Sequence, residues 1–342
     1  MRRPSRYGLV AGAVFLALLG SYTAYWVIVA HRIESGIAAW AHSSAQQNID
    51  AAARRFGVTG FPTGFRVELQ DAVLRDRSIA PAPELRLPTM SGSARPWDLK
   101  DWRLRAPQGL SADLAGTGGR PPVRLAARTA DGTISFARTR GTTLWLRLEK
   151  ASAEGGGSAR IDAADLWITM PAQRPQKHTD ANFGVAADLR SMQLPAAAGA
   201  LGDSIDELAF GLTVNGPLAS GSLVQALAAW RDAGGTIALD NLDLQWGGLG
   251  ASATGTIALD SDLQPIGGFS GAIEGYERIL QALVQAGRMR PGDAGLARLA
   301  LTMLAKAGPD GRPEIATSFT IQDGQMYLGP ARLGPAPRLA WK

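Results

Sequence analysis

Ser270 lies in Gly268-Phe269-Ser270-Gly271-Ala272, the stretch of this chain that comes nearest to the Gly-x-Ser-x-Gly turn of a hydrolase nucleophile. A serine attacks only beside a base that takes its proton. The fifth position here is Ala, and the flanks alternate like a strand, so a small residue on a strand is the simpler reading. The three histidines are dispersed: His31, His42 and His178, the last in a Pro- and Gln-rich loop. No Ser stands three residues before a Lys, so the Ser-x-x-Lys motif is absent. The paired acids Asp98/Asp101 and Asp240/Asp243 have the spacing of acid–base partners, but surface carboxylates at strand ends fit them as well. Asp260, Asp262 and Gln264 alternate like the start of a calcium loop, which Pro265 and the missing distal Glu interrupt. With no Cys and three scattered His, a zinc ligand set is not available. Gly116-Thr117-Gly118-Gly119 lacks the Lys of a phosphate loop. The expectation is a non-enzymatic protein with no catalytic residues, metal or cofactor.

The elements that would position any of these residues are strands. Phe65, Val67 and Leu69 alternate with Arg66, Glu68 and Gln70, which marks a strand with one buried face. The same period recurs at Trp102/Leu104, Val123/Leu125/Ala127, Leu144/Leu146/Leu148, Leu166/Ile168/Met170, Phe183/Val185/Ala187 and Leu208/Phe210/Leu212. Between them stand turn sequences such as Asp131-Gly132, Gly155-Gly156-Gly157-Ser158 and Asn215-Gly216-Pro217. Gly 41 and Pro 20 in 342 residues, with 46% hydrophobic residues, fit a β-rich chain of many turns and exclude a disordered one. Gly235-Thr236-Ile237-Ala238-Leu239-Asp240 returns as Gly255-Thr256-Ile257-Ala258-Leu259-Asp260, as expected of neighbouring hairpins with one face inward. Helical spacing is confined to Leu223/Leu227/Trp230 (capped by Ser220 or Ser222), to 276–286 and to 293–307. The fold class is therefore mainly β (α+β): a long, twisted antiparallel sheet with a few covering helices.

One sheet face is apolar over many strands, and something must cover it: helices, a second sheet or an acyl chain. Trp102, Leu104, Trp145 and Trp246 are the candidate lining of an apolar groove. Trp145 alternates out of phase with Leu144 and Leu146, so a competing reading has it covering a second layer.

The N-terminus gives an address. Tyr7 to Ala30 is free of charge, follows Arg2, Arg3 and Arg6, and is closed by His31 and Arg32. At ~1.5 Å per helical residue it crosses the roughly 30 Å core of a bilayer. Basic residues before it are expected to keep residues 1–6 in the cytoplasm, with the chain after Arg32 on the far side of the membrane. The run is longer than a signal-peptide core and ends in Tyr22, Tyr25 and Trp26, rings that suit a membrane interface. An uncleaved anchor over 7–30 is the reading; a cleaved signal peptide is the alternative. Ile33, Ile37, Trp40 and Ala41 continue a helix over 31–56, whose apolar face is expected to dock on the β domain at 57–342. Three of the five net positive charges belong to the tail. The exported part is close to neutral, which argues against nucleic acid as a partner.

These features together resemble a family. A membrane helix leads into a helix bearing Trp40, then Gly60-Phe61-Pro62 and the strand Phe65-Arg66-Val67. Later come Leu244-Gln245-Trp246-Gly247 and Asp323-Gly324-Gln325-Met326-Tyr327-Leu328-Gly329-Pro330. The chain resembles the bacterial envelope family called domain of unknown function 2125, departing from it at Thr63-Gly64. In style it is similar to AsmA-like β-groove proteins. The resemblance implies a periplasmic protein anchored in the inner membrane. Its expected partners are that membrane, a phospholipid or lipid A-like ligand, and other envelope proteins. The expected role is to bind or shield lipid in envelope maintenance, with an interaction scaffold as the alternative.

Overall fold

The computed structural model describes residues 6–46, 48–77, 81–114, 121–155, 157–195, 201–219, 222–285, 287, 289–308, 311–339 and 341. The chain starts with α1 (Arg6–Gln46), which is long and apolar enough to cross a membrane. Helical spacing in the sequence carries this element to about residue 56; the structure ends it at Gln46. Asn48 takes a left-handed conformation (φ 64°), and its carbonyl accepts from the Arg77 amide. The next residues, β1 (Ile49–Ala52), then pair with 73–76 of the following long strand. Cross-strand bonds outcompete the helix there in spite of Ala51 and Ala52, which favour a helix.

The sheet is one antiparallel meander. β1 and β2 (Arg55–Thr59) form a broken strand beside β3 (Phe65–Asp76), which pairs with β4 (Glu84–Arg95). β5 (Asp98–Ala106) and β6 (Leu110–Leu114) run along β4 as a second broken strand. β7 (Val123–Ala127) and β8 (Thr129–Ala137) make a third, which leads to β9 (Gly141–Glu154). β10 (Ser158–Met170), β11 (Ala181–Gln193) and β12 (Ser204–Asn215) follow in order. β13 (Thr236–Trp246), β14 (Leu249–Leu259) and β15 (Pro265–Glu274) continue the meander. β16 (Lys306–Ala307) and β15 both pair with β17 (Pro313–Gln322), and β18 (Gln325–Leu328) and β19 (Ala331–Pro335) end it. The two Gly-Thr-Ile-Ala-Leu-Asp copies pair with each other inside one hairpin, Ile237 opposite Ile257, rather than in neighbouring hairpins.

Three short helices join strands. α2 (Leu223–Asp232) starts at Ser222, whose side chain accepts from the Gln225 amide while the Gln225 side chain accepts from the Ser222 amide. Ser220 lies outside the described residues. Trp230 is buried and its indole N–H donates to the Asn215 carbonyl at 2.7 Å. The turn back into β13 needs glycine at 235, where a Cβ would meet the Trp230 ring at 2.2 Å. α3 (Tyr276–Gln285) and α4 (Pro291–Leu304) pack on each other and reach the sheet at β14 and β17. They cover it locally.

Glu84 is a buried carboxylate at the far end of β4 from the β4–β5 turn. It accepts from Arg75 Nε at 2.9 Å across the ladder and from Arg86 on its own strand. Arg75 first and Arg86 second hold its carboxyl below the usual glutamate range. A depressed carboxylate stabilises the fold above its unfolded pKa of about 4.3, and that contribution disappears as pH falls through the lower folded value. Glu84→Gln is expected to lower the melting temperature at pH 7. The gap from the parent should close progressively below about pH 4 in thermal melts. A gap independent of pH would refute the assignment.

Candidate functional site

The alternation of each strand, joined across the ladder, builds continuous apolar rows on one face. Trp102 stands opposite Ile134, Ile134 opposite Leu144, and Leu144 opposite Ile168. The same row runs on through Val185, Leu212, Leu239, Gly255, Phe269, Phe319 and Leu328. The next row contains Leu104, Gly132, Leu146, Leu166, Ala187, Phe210 and Leu242. The bulge at Asp240 and Asn241 keeps Leu239 and Leu242 on the same side, so the rows survive it.

The large side chains of these rows are half-buried, while small residues at their feet, Ala130, Ala164 and Ala187, are buried. In a sandwich the inner faces of two sheets interdigitate and such leucines disappear from solvent. Here the row side chains stay partly exposed, and the strands among the described residues all belong to one hydrogen-bonded sheet.

The rows begin against α1. Phe65 and Val67 share the face of Leu104 through Ala94 and Gly92. The Phe65 ring stacks on Trp26 of α1, with centroids 5.3 Å apart and 12° between planes. Phe65, 1% exposed, has the largest fully buried side chain among the described residues. Phe61 meets Trp26 edge-on at 5.6 Å. The Trp26 indole donates to the Gly64 carbonyl (2.9 Å), the Tyr25 hydroxyl to Pro96 (2.6 Å) and the Tyr22 hydroxyl to Pro62. Further along, Ala30, Ile33, Ile37, Ala41 and Ser44 turn towards β1 and β2, as the helical spacing predicts, whereas Trp40 is 53% exposed. Sequence reasoning took Tyr22, Tyr25 and Trp26 for membrane-interface rings only. Their second task, holding two turns of the sheet, had no local signal.

Of the candidate groove residues, Trp102 and Leu104 lie on the apolar face, flanking Gly92. Trp246 follows Leu242 and Leu244 on it and donates to the Gly202 carbonyl at 3.1 Å. Trp145 does not belong there. It pairs with Trp167 on the opposite face, and its indole donates to Asp165 at 3.2 Å. Arg147 approaches the same ring at 5.9 Å and grips the buried Asp165 through two bonds of 3.0 and 2.7 Å. That bond first, then the charge of Asp165, raises the Arg147 pKa. The out-of-phase position of Trp145 is the physical reason: odd and even residues of a strand face opposite ways.

The residues with spacing for chemistry are dispersed. Ser270 sits mid-strand between Thr254 and Ser318, not on a strand-to-helix turn. Asp98 and Asp101 line a polar hollow of about 550 Å³ with Arg66, Arg95 and Arg103. Asp240 accepts from the Thr213 hydroxyl at 2.6 Å, and Asp243 from Asn241 at 3.3 Å. Asp260 closes its own turn by accepting from the Asp262 and Gln264 amides. The Gly116–Gly119 stretch lies outside the described residues. Among the described residues no group of three His, Asp or Glu is placed to hold a metal.

Over residues 26–337 the chain matches the family described as an uncharacterized protein conserved in bacteria, domain of unknown function 2125. The chain belongs to this family. The family match opens at Trp26, the residue stacked on Phe65, so Trp26 to Ser44 lies within it, while Tyr7–Tyr25, with the docked Tyr22 and Tyr25, precedes it. No curated protein and no solved structure matches the chain.

Proposed function

We propose that this family member is a non-enzymatic protein of the bacterial envelope, anchored in the inner membrane by α1, whose apolar sheet face binds or shields the acyl chains of a lipid. The observation that carries the reading is the face itself. A half-buried row of mostly Leu, Ile, Val and Phe side chains runs from β5 to β18, interrupted at Gly255, and a second runs beside it from β5 to β13. Water on such a surface is costly, about 25 cal/mol per Å² of apolar area, and an acyl chain laid along the rows removes that cost. The rows start at Trp26 and Phe65, directly beside the helix that would stand in the membrane. A lipid leaving the outer leaflet would meet the face at that point. Phospholipid and lipid A-like molecules both supply the chains this surface fits.

The test is photo-cross-linking in cells with the full chain, because Trp26 to Ser44 packs as part of the fold. A benzophenone side chain replaces Ile168 or Phe269 on the apolar face, or Thr254 on the opposite face. Ile168 on β10 and Phe269 on β15 stand five and ten strand spacings from β3, about 24 and 48 Å along the sheet at ~4.8 Å each, beyond the lipids that ring α1. Lipid adducts at 168 and 269 but not at 254 are expected. Equal labelling of both faces, or none, refutes the reading.

A scaffold for other envelope proteins is the second reading, and α4 favours it. Leu296, Leu299 and Met303 are exposed along that helix. A stoichiometric protein cross-link from Leu299, with no lipid on the sheet, is the outcome that would put the scaffold first.

A further inference from the structure

We infer that the β domain is seated on the bilayer by two adjacent turns, 60–64 and 95–98, with Phe61 and Trp97 inserted among the lipids at the level of Tyr22–Trp26. The inference rests on the reading of α1 as a membrane anchor and adds a second, independent membrane contact made by the sheet.

The argument is one of heights. Tyr22 and Trp26 lie 15 and 19 residues after Tyr7, where the apolar run begins. At ~1.5 Å per residue that is about 22 and 28 Å along the helix, the depth at which a roughly 30 Å hydrocarbon core gives way to headgroups. The two turns are tied to α1 at that height. The β2–β3 turn is held by Tyr22 at Pro62 and by Trp26 at Gly64; the β4–β5 turn is held by Tyr25 at Pro96. A turn bonded to the helix at the interface is itself at the interface.

The residues at the tips fit that place. Trp97 is 76% exposed and Phe61 is 47% exposed. Each sits beside a proline whose carbonyl is already bonded to α1, so neither turn is free to move away from the helix. An exposed Trp and Phe are costly in water and favourable among headgroups, where an aromatic ring has an apolar side and a wet side. Behind the tips Arg66, Arg95 and Arg103 line a hollow with Asp98 and Asp101, a net positive surface suited to anionic headgroups. Among the described residues these three cations have no ion pair.

The sequence holds no Cys, so single labels are clean. Nitroxide labels are placed at Phe61→Cys, Trp97→Cys, Phe15→Cys and Trp40→Cys in the full chain. The protein is reconstituted in vesicles of phosphatidylethanolamine and phosphatidylglycerol. Relaxation by oxygen, which concentrates in lipid, is compared with relaxation by a water-soluble nickel chelate. Phe15 is the reference for the core, and Trp40, 14 residues beyond Trp26 on α1, is the reference for water. The ratio of oxygen to nickel accessibility at 61 and 97 is expected to exceed that at 40 several-fold and to fall below that at 15. A water-like ratio at 61 and 97 with a lipid-like ratio at 15 overturns the seat and leaves the anchor standing. A water-like ratio at 15 overturns both. Label at 97 alone in lipid also overturns the two-turn seat as stated.

Discussion

Phe65→Ala is expected to destabilise the β domain by about 3–5 kcal/mol, the cost of removing a large aromatic from a packed site. Phe65 is the anchor of the interface between α1 and the sheet: it stacks on Trp26 at 5.3 Å while Phe61 closes the cluster from the side. Trp26→Ala removes the other half of the stack and one bond to the Gly64 carbonyl, and a similar loss is expected. Because the two rings serve one contact, the double variant should cost less than the sum by about 1 kcal/mol or more. Trp40→Ala is the control on the same helix, within about 0.5 kcal/mol of the parent, since its side chain is exposed. Denaturant unfolding of the full chain in mild detergent measures all four. If Trp26→Ala behaves like Trp40→Ala, the helix is not docked and the continuity between anchor and apolar rows is lost.

Leu212→Arg is expected to abolish lipid cross-linking from Ile168 and Phe269 while leaving the fold intact. Leu212 stands mid-row on β12, between Val185 and Leu239. Its side chain is half-exposed, so an arginine stem can lie along the face with its charge in water, and the sheet need not open. An acyl chain crossing that point would have to pass a hydrated cation. Losing contact over about four methylenes costs ~3 kcal/mol, roughly a hundredfold in affinity. Ser252→Arg, exposed on the opposite face of β14, carries the same charge and should change cross-linking less than twofold. Equal losses in the two variants would mean that added charge acts through the membrane or the fold, and the apolar rows would cease to be the site.

The amino-acid sequence alone determined what is local. Period-two alternation identified most strands of the meander, because each residue's face follows from its neighbours two places away, but β1, β2, β6 and β19 escaped it. It already set Trp145 out of phase with Leu144 and Leu146, and the structure puts that ring on the Asp165 side. The Asn215-Gly216 turn was legible because left-handed backbone there favours glycine, whereas Asp131-Gly132, expected as a turn, lies inside β8 and pairs with β5 and β9 on its two sides. The apolar run and its flanking arginines were legible for the same reason, being matters of length and composition.

Tertiary structure decided what depends on distant partners. The helix stops at Gln46 because 49–52 finds a strand 24 residues further along, a competitor that helical spacing does not register. Tyr22, Tyr25 and Trp26 bind the carbonyls of Pro62, Pro96 and Gly64, 38 to 71 residues away, so their role in holding two turns has no signature in their own segment. Whether the apolar face is covered depends on every element that fails to pack on it. Alternation tells that a strand has an apolar side; only the assembled sheet decides where helices reach it, α3 at β14 and α4 at β17.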